Sequence, residues 1–147
     1  MTGLVFFISA FAFCGASTAS PDQMLPVTPQ MLKQLAALKP ELNFGPDAKT
    51  YYTGVPDPVD RLAGDKAFSQ LIDVLVSDLP KHSAKSFVLG QFKMALSKFS
   101  SVETEDRERA VSYCEKIMDV LGIANSDGVL NRWLYGPVLG RMVKAKQ

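Results

Sequence analysis

Histidine and cysteine are nearly missing from this chain of 147 residues, which holds one His and two Cys. Zinc sites draw several ligands from these two residue types, so His82 alone cannot build one and no metal is expected. Cys14 sits in the N-terminal segment, which leaves Cys114 as the only thiol of the domain proper and no pair for an internal disulfide. An excess of one charge is missing too. Sixteen Lys plus Arg face 15 Asp plus Glu, a formal net of +1, whereas a protein that binds nucleic acid electrostatically carries a marked basic excess. Nucleic acid is therefore not an expected partner. No glycine-rich phosphate loop and no Gly-x-Ser-x-Gly elbow occurs, and no cofactor is expected. The one long apolar segment, residues 4–13, is too short for a membrane span, which needs roughly 20 residues.

What the chain does have is an uneven supply of apolar residues. Four of its nine Phe fall within the first thirteen positions, and no charged side chain precedes Asp22. The apolar segment is followed by Cys14-Gly15-Ala16-Ser17-Thr18-Ala19-Ser20, with Ser17 and Ala19 at the small −3 and −1 positions for cleavage after Ala19. Residues 1–19 are thus expected to be a cleavable signal peptide, and the protein to be exported, periplasmic or secreted. No Lys or Arg precedes the apolar segment, so only the terminal amine supplies the positive charge such a signal carries. Lipidation at Cys14 is the competing reading, but Phe13 stands where lipoprotein processing requires a small residue. Membrane contact is expected only through the uncleaved segment or that lipid. Removing 19 of 147 residues leaves 128, with the net charge unchanged and enough chain to hold a core without cross-links.

Residues 20–27 read as a short exposed lead to a single helical domain over 28–147. Thr28-Pro29 combines a capping side chain with proline at the first helical position, and Met31, Leu32, Leu35 and Leu38 recur at helical spacing until Lys39-Pro40. Residues 39–57 form a long connection, and its Leu42, Phe44, Tyr51 and Tyr52 are expected to pack it down. Asp57-Pro58 repeats the cap-then-proline signal. Val59, Leu62, Ala63, Ala67, Leu71, Val74 and Leu75 then follow a 3.6-residue period, with a bend expected at Gly64. Ser83 is the expected cap of a third helix carrying Val88, Leu89, Phe92, Ala95, Leu96 and Phe99.

A fourth helix begins with Glu103, Glu105 and Asp106, which oppose the positive end of the helix dipole. Glu103 with Arg107 and Glu105 with Arg109 are acid-first pairs worth about 0.3–0.5 kcal/mol each. Ala110, Cys114, Ile117, Met118 and Leu121 form its core stripe, and Gly122 stops it in a left-handed cap. A short fifth helix over 129–135 is expected to end at Gly136-Pro137, with one more amphipathic turn beyond. No strand-like alternation occurs. The predicted fold is all-α, an irregular orthogonal bundle of four to six helices after a cleavable N-terminal signal segment.

Residues able to carry chemistry are few. His82 reads as a solvated loop side chain and Cys114 as an inert buried thiol, so no catalytic residue is assigned. The cluster Glu103-Thr104-Glu105-Asp106 fits acid–base catalysis in a small carboxylate-dependent hydrolase, with the Tyr51-Tyr52 loop as a lid, but a helix start also accounts for it. Asn125-Ser126-Asp127-Gly128 looks like a piece of a calcium loop whose remaining ligands are missing; turn and capping chemistry explain it more simply. Trp133, the only Trp, lies beside Asn131, Arg132 and Tyr135. Trp, Tyr and Arg are enriched at interface hot spots, yet a lone Trp in a small helical domain is also a natural core anchor. As a core anchor, its replacement by Ala costs about 3–5 kcal/mol. The expected partner-binding residues are Asn131, Arg132, Trp133 and Tyr135, with Tyr51 and Tyr52 from the long loop.

The run Glu103-Thr104-Glu105-Asp106-Arg107-Glu108-Arg109, together with Tyr113, Ile117-Met118-Asp119 and the closing SDGxLNxWLYG pattern of residues 126–136, resembles a family of small bacterial proteins described as a domain of unknown function. The resemblance spans roughly residues 28 to 137. It implies a bacterial origin and a compact helical domain, and it brings no activity, cofactor or catalytic residue. Two functions suit the whole sequence. One is a non-enzymatic protein-binding or accessory module of the cell envelope, inhibitor- or immunity-like; the other is the carboxylate-dependent hydrolase.

Overall fold

The computed structural model describes residues 21–99, 101 and 103–144, with side chains as far as residue 136. The signal segment expected over 1–19, and Cys14 within it, lie outside the described residues. Among the described residues are five α-helices and one short 3-10 turn: α1 Pro29–Leu38, the turn Lys39–Glu41, α2 Pro58–Asp78, α3 Lys85–Ser97, α4 Thr104–Leu121 and α5 Val129–Lys144. The fold is an all-α bundle, as the periodicity predicts. Helix α2 packs against α1 and α3, α4 against α1 and α5, and α5 closes the bundle by also touching α3.

Local capping chemistry sets most of the helix starts. Thr28 accepts a hydrogen bond from the Met31 amide at 3.2 Å, and Asp57 accepts from the Val59 and Asp60 amides at 2.7 and 3.1 Å. At the end of α4, Gly122 adopts φ +69°, and the amide of buried Ile123 donates to the Met118 carbonyl.

Helix α3 departs from expectation. It starts one residue late, so the N-cap position falls on Ala84, which has no capping group. Asp22 takes the capping role expected of Ser83: its carboxylate accepts from the amide of Ser86, 64 residues on, at 3.1 Å and from the Ser86 hydroxyl. The lead that carries Asp22 is largely exposed but not loose. The Leu25 amide donates to the Ser83 carbonyl, the Lys85 amide donates to the Gln23 carbonyl, and Leu25 is buried. Asp22→Ala is therefore expected to destabilise the fold by about 0.5–2 kcal/mol, as loss of a helix cap does. Urea unfolding of the variant checks this, and an unchanged midpoint would refute a capping role.

Helix α5 corrects a second expectation, because it runs through Gly136-Pro137 to Lys144. Proline lacks the amide hydrogen that would donate to the carbonyl four residues earlier, that of Trp133. The Arg107 guanidinium donates to that carbonyl instead, which replaces the hydrogen bond that proline withdraws. The acid-first pairs expected in α4 are replaced by this contact and by one from Arg109 to Asp47. At the start of the 21-residue α2, Val59, Leu62 and Ala63 are exposed rather than in the core.

The centre of the core is supplied by the long loop. Phe44 is fully buried, its ring centroid 4.6 Å from that of Phe99 and 5.3 Å from those of Phe68 and Tyr113. Gly64 permits this approach: a Cβ there would stand 2.9 Å from the Phe44 ring and 3.1 Å from that of Phe99. The glycine thus makes room for two rings within an unbroken α2, rather than a bend. The Phe44 amide donates to Asp65 at 2.7 Å, and its carbonyl accepts from Val55. No helix among the described residues is long and apolar enough to cross a membrane.

Candidate functional site

Two groupings of polar side chains stand out, and they do different work. The first lashes the long loop to α4. Arg109 donates to Asp47 at 2.9 Å, to the Thr50 hydroxyl at 2.8 Å and to the Tyr113 hydroxyl at 2.8 Å, and its guanidinium lies 4.6 Å from the Tyr52 ring centroid. The Tyr52 hydroxyl donates to Asp106 at 2.6 Å, Ser101 donates to the other oxygen of Asp106 at 2.5 Å, and the Tyr113 hydroxyl donates to the Asn43 carbonyl. Burial, and then the Asp106 carboxylate, pushes the Tyr52 phenol above its usual range; burial also raises that of Tyr113. The hydrogen bond from Arg109 holds the Asp47 carboxyl down to about 2.

This cluster is a clamp. Asp106 is 3% exposed, with both carboxylate oxygens engaged, while Glu103 and Glu105 lie exposed at the helix start. The three carboxylates weighed as acid and base therefore do not converge. Tyr52, expected at a partner surface, is buried under Arg109 instead; Tyr51 stands 90% exposed at φ +56°. A carboxyl with a lowered folded-state pKa stabilises the fold above its unfolded value and loses that contribution as pH falls through the folded one. Asp47 should accordingly add stability above pH 4, lost between about 4 and 2. Comparing acid unfolding of Asp47→Asn with the parent checks this, and identical acid limbs would refute it.

The second grouping lines a groove between α3 and α5. Lys93, Leu96 and Ser97 form one wall and Val129, Arg132 and Trp133 the other, around an open volume of about 300 Å³. Both walls follow the spacing i, i+3, i+4, which puts three side chains on one helix face. Trp133 is half-buried, with its ring centroid 6.1 Å from that of Phe99 and the Arg107 guanidinium 3.9 Å from its own. It is a core contact and a surface contact at once: Phe99 and Arg107 fix the ring, and the groove exposes part of it. Arg132 donates to the Asp127 carbonyl at 3.0 Å, and its guanidinium lies where a Cβ on Gly128 would stand 2.8 Å away. Gly128 adopts φ +76°, a left-handed conformation that favours glycine there.

The groove brings together two of the six expected partner residues, Arg132 and Trp133. Asn131 is exposed beside them on α5 and Tyr135 is 52% exposed, but neither lines the groove; nor do Tyr51 and Tyr52. Lys93 and Ser97 carry no sequence signal of a site and Leu96 reads as core, because only the packing of α5 makes this edge of α3 a wall. Asn125 and Asp127 accept hydrogen bonds from Lys85, at 3.0 and 2.8 Å, which gives the oxygens of the calcium-like fragment an internal partner. His82 is exposed, 5.5 Å from the Phe87 ring. Cys114 is buried, and burial pushes its thiol well above the usual range, the setting of an unreactive cysteine.

Comparison with known proteins bears on the fold and the family. No curated protein matches the chain. Among solved structures it is similar to the crystal structure of a DUF3571 family protein from Acinetobacter baumannii AYE, with a TM-score of 0.66 at 24% identity over 78% of this chain and 95% of that one. At that identity the likeness is one of fold. The sequence pattern described as "Domain of unknown function (DUF4844)" matches residues 26–138, close to the span over which the sequence carries its resemblance. With its helical core, its loop clamp and the Trp133 groove all inside that span, the chain belongs to the DUF4844 family.

Proposed function

We propose that this protein is a non-enzymatic binding or accessory module of the cell envelope, inhibitor- or immunity-like, which holds a protein partner in the groove between α3 and α5. The observation that carries this reading is the fixed, half-open indole of Trp133, set between apolar Leu96 and Val129 and rimmed by Lys93 and Arg132. A rigid aromatic that is already ordered in the free protein loses little conformational entropy on binding, which is why Trp and Arg dominate interface hot spots. Export rests on the character of residues 1–19 alone.

The test is affinity capture from the native host with the full chain and with the double variant Lys93→Glu/Arg132→Glu. Both side chains are exposed and Arg132 gives up one exposed hydrogen bond, so the variant should stay folded with a melting temperature within a few degrees of the parent's. A stoichiometric partner retained by the parent and reduced at least tenfold on the variant is the expected result. Reproducible absence of any partner, or one that both proteins retain equally, would sink the proposal.

A further inference from the structure

We infer that the groove between α3 and α5 takes an acidic peptide segment carrying one apolar anchor side chain; this rests on the reading of the groove as a protein-binding site and specifies its ligand. The argument is charge segregation. The chain as a whole is balanced at +1. The two helices that build the groove are not: α3 carries Lys93 and a Lys85 that is paired with Asp127, α5 carries Arg132 among its described side chains, and neither helix contains a single Asp or Glu. The acidic residues are gathered on other elements, four of them in α2 alone. At the groove, Lys93 and Arg132 face the opening with no carboxylate among the lining side chains. Arg132 is tied to a backbone carbonyl rather than an acid, so its positive charge is unneutralised there. A carboxylate brought to this rim meets complementary potential, and a basic segment is repelled.

The floor sets the second requirement. The open face of Trp133, backed by the buried Leu96 and Val129, is apolar and rewards burial of a hydrophobic side chain. A volume of about 300 Å³ lies at the small end of ligand sites, about 300–1,000 Å³, which suits one anchor side chain and its flanks. A concave slot of that size favours a peptide over the flat face that a membrane needs. A net charge of +1 lacks the broad basic field that draws in nucleic acid.

Trp133 is the only Trp, so its emission reports occupancy of the groove directly. The experiment selects twelve-residue peptides from a random displayed library on the full chain and titrates the recovered peptides against Trp133 fluorescence. The expected outcome is enrichment of Asp and Glu around one aromatic or aliphatic residue, with a saturable blue shift. Binding should fall at least tenfold in Lys93→Glu/Arg132→Glu and be restored when the peptide's acids are exchanged for lysines. A neutral or basic consensus, no enrichment over background, or selected peptides that bind the double variant unchanged would each overturn the inference. So would a larger shift with a short single-stranded oligonucleotide or with phosphatidylglycerol vesicles. If the host partner is captured by the parent and lost from the variant while the library yields no acidic motif, only the ligand chemistry falls. If capture is indifferent to the variant, the groove reading itself falls.

Discussion

Replacing Phe44 with alanine is expected to destabilise the domain by about 3–5 kcal/mol, the cost of emptying a fully enclosed aromatic site. That is a large share of the 5–15 kcal/mol typical of a whole domain. The reason for so large an effect in a loop residue is its neighbours. The ring is wedged among Phe68, Phe99 and Tyr113 and rests on Gly64, so its loss opens one cavity bordered by α2, α4 and the segment after α3. Collapse of the surroundings is limited, because the loop backbone is pinned by the Asp65 acceptor and by the Phe44–Val55 contact. Chemical denaturation of Phe44→Ala and Phe44→Leu measures this. A cost under about 1.5 kcal/mol for the alanine variant would show that the loop is an appendage rather than part of the core.

Trp133→Ala should have the second-largest effect and act on two readouts together. The indole is half-buried, so the stability cost should be about 2–4 kcal/mol, below the range for a fully enclosed Trp. Some of that loss comes from Arg107, whose guanidinium would keep its bond to the backbone carbonyl but lose the ring beneath it. Trp133→Phe separates the readouts. It keeps an aromatic face for Arg107 and should cost no more than about 1.5 kcal/mol, while weakening partner capture about tenfold. Thermal unfolding and capture measured on the same preparations check both. If Trp133→Phe binds the partner as tightly as the parent, the indole is only a core residue.

Both predictions turn on elements whose helical character is plain in the sequence but whose contacts are not. Thr28-Pro29, Asp57-Pro58 and Gly122 announce their helix ends because a cap acts within three or four residues, and each is found where expected. The start of α3 escapes such local signals because its acceptor, Asp22, reaches across 64 residues. The end of α5 escapes them for the same kind of reason, since the carbonyl that Pro137 leaves unpaired is taken by Arg107 from another helix. The binding residues divide likewise. Arg132 and Trp133 are legible as an aromatic–cation pair, whereas Tyr52 reads both as packing the loop down and as meeting a partner, and only its enclosure by Asp106 and Arg109 decides for the first.

The sequence by itself determined the helical class, the helix registers, the family resemblance and the balance of charge, because periodicity, caps and composition act over one or two helical turns. Only the tertiary structure decided that Phe44 sits at the centre of the core, among Phe68, Phe99 and Tyr113, and that Asp106 serves a clamp. It alone brought Lys93 and Arg132 together over one apolar floor. These outcomes depend on groups far apart in the chain, whose meeting is set by how the helices pack and not by any local preference.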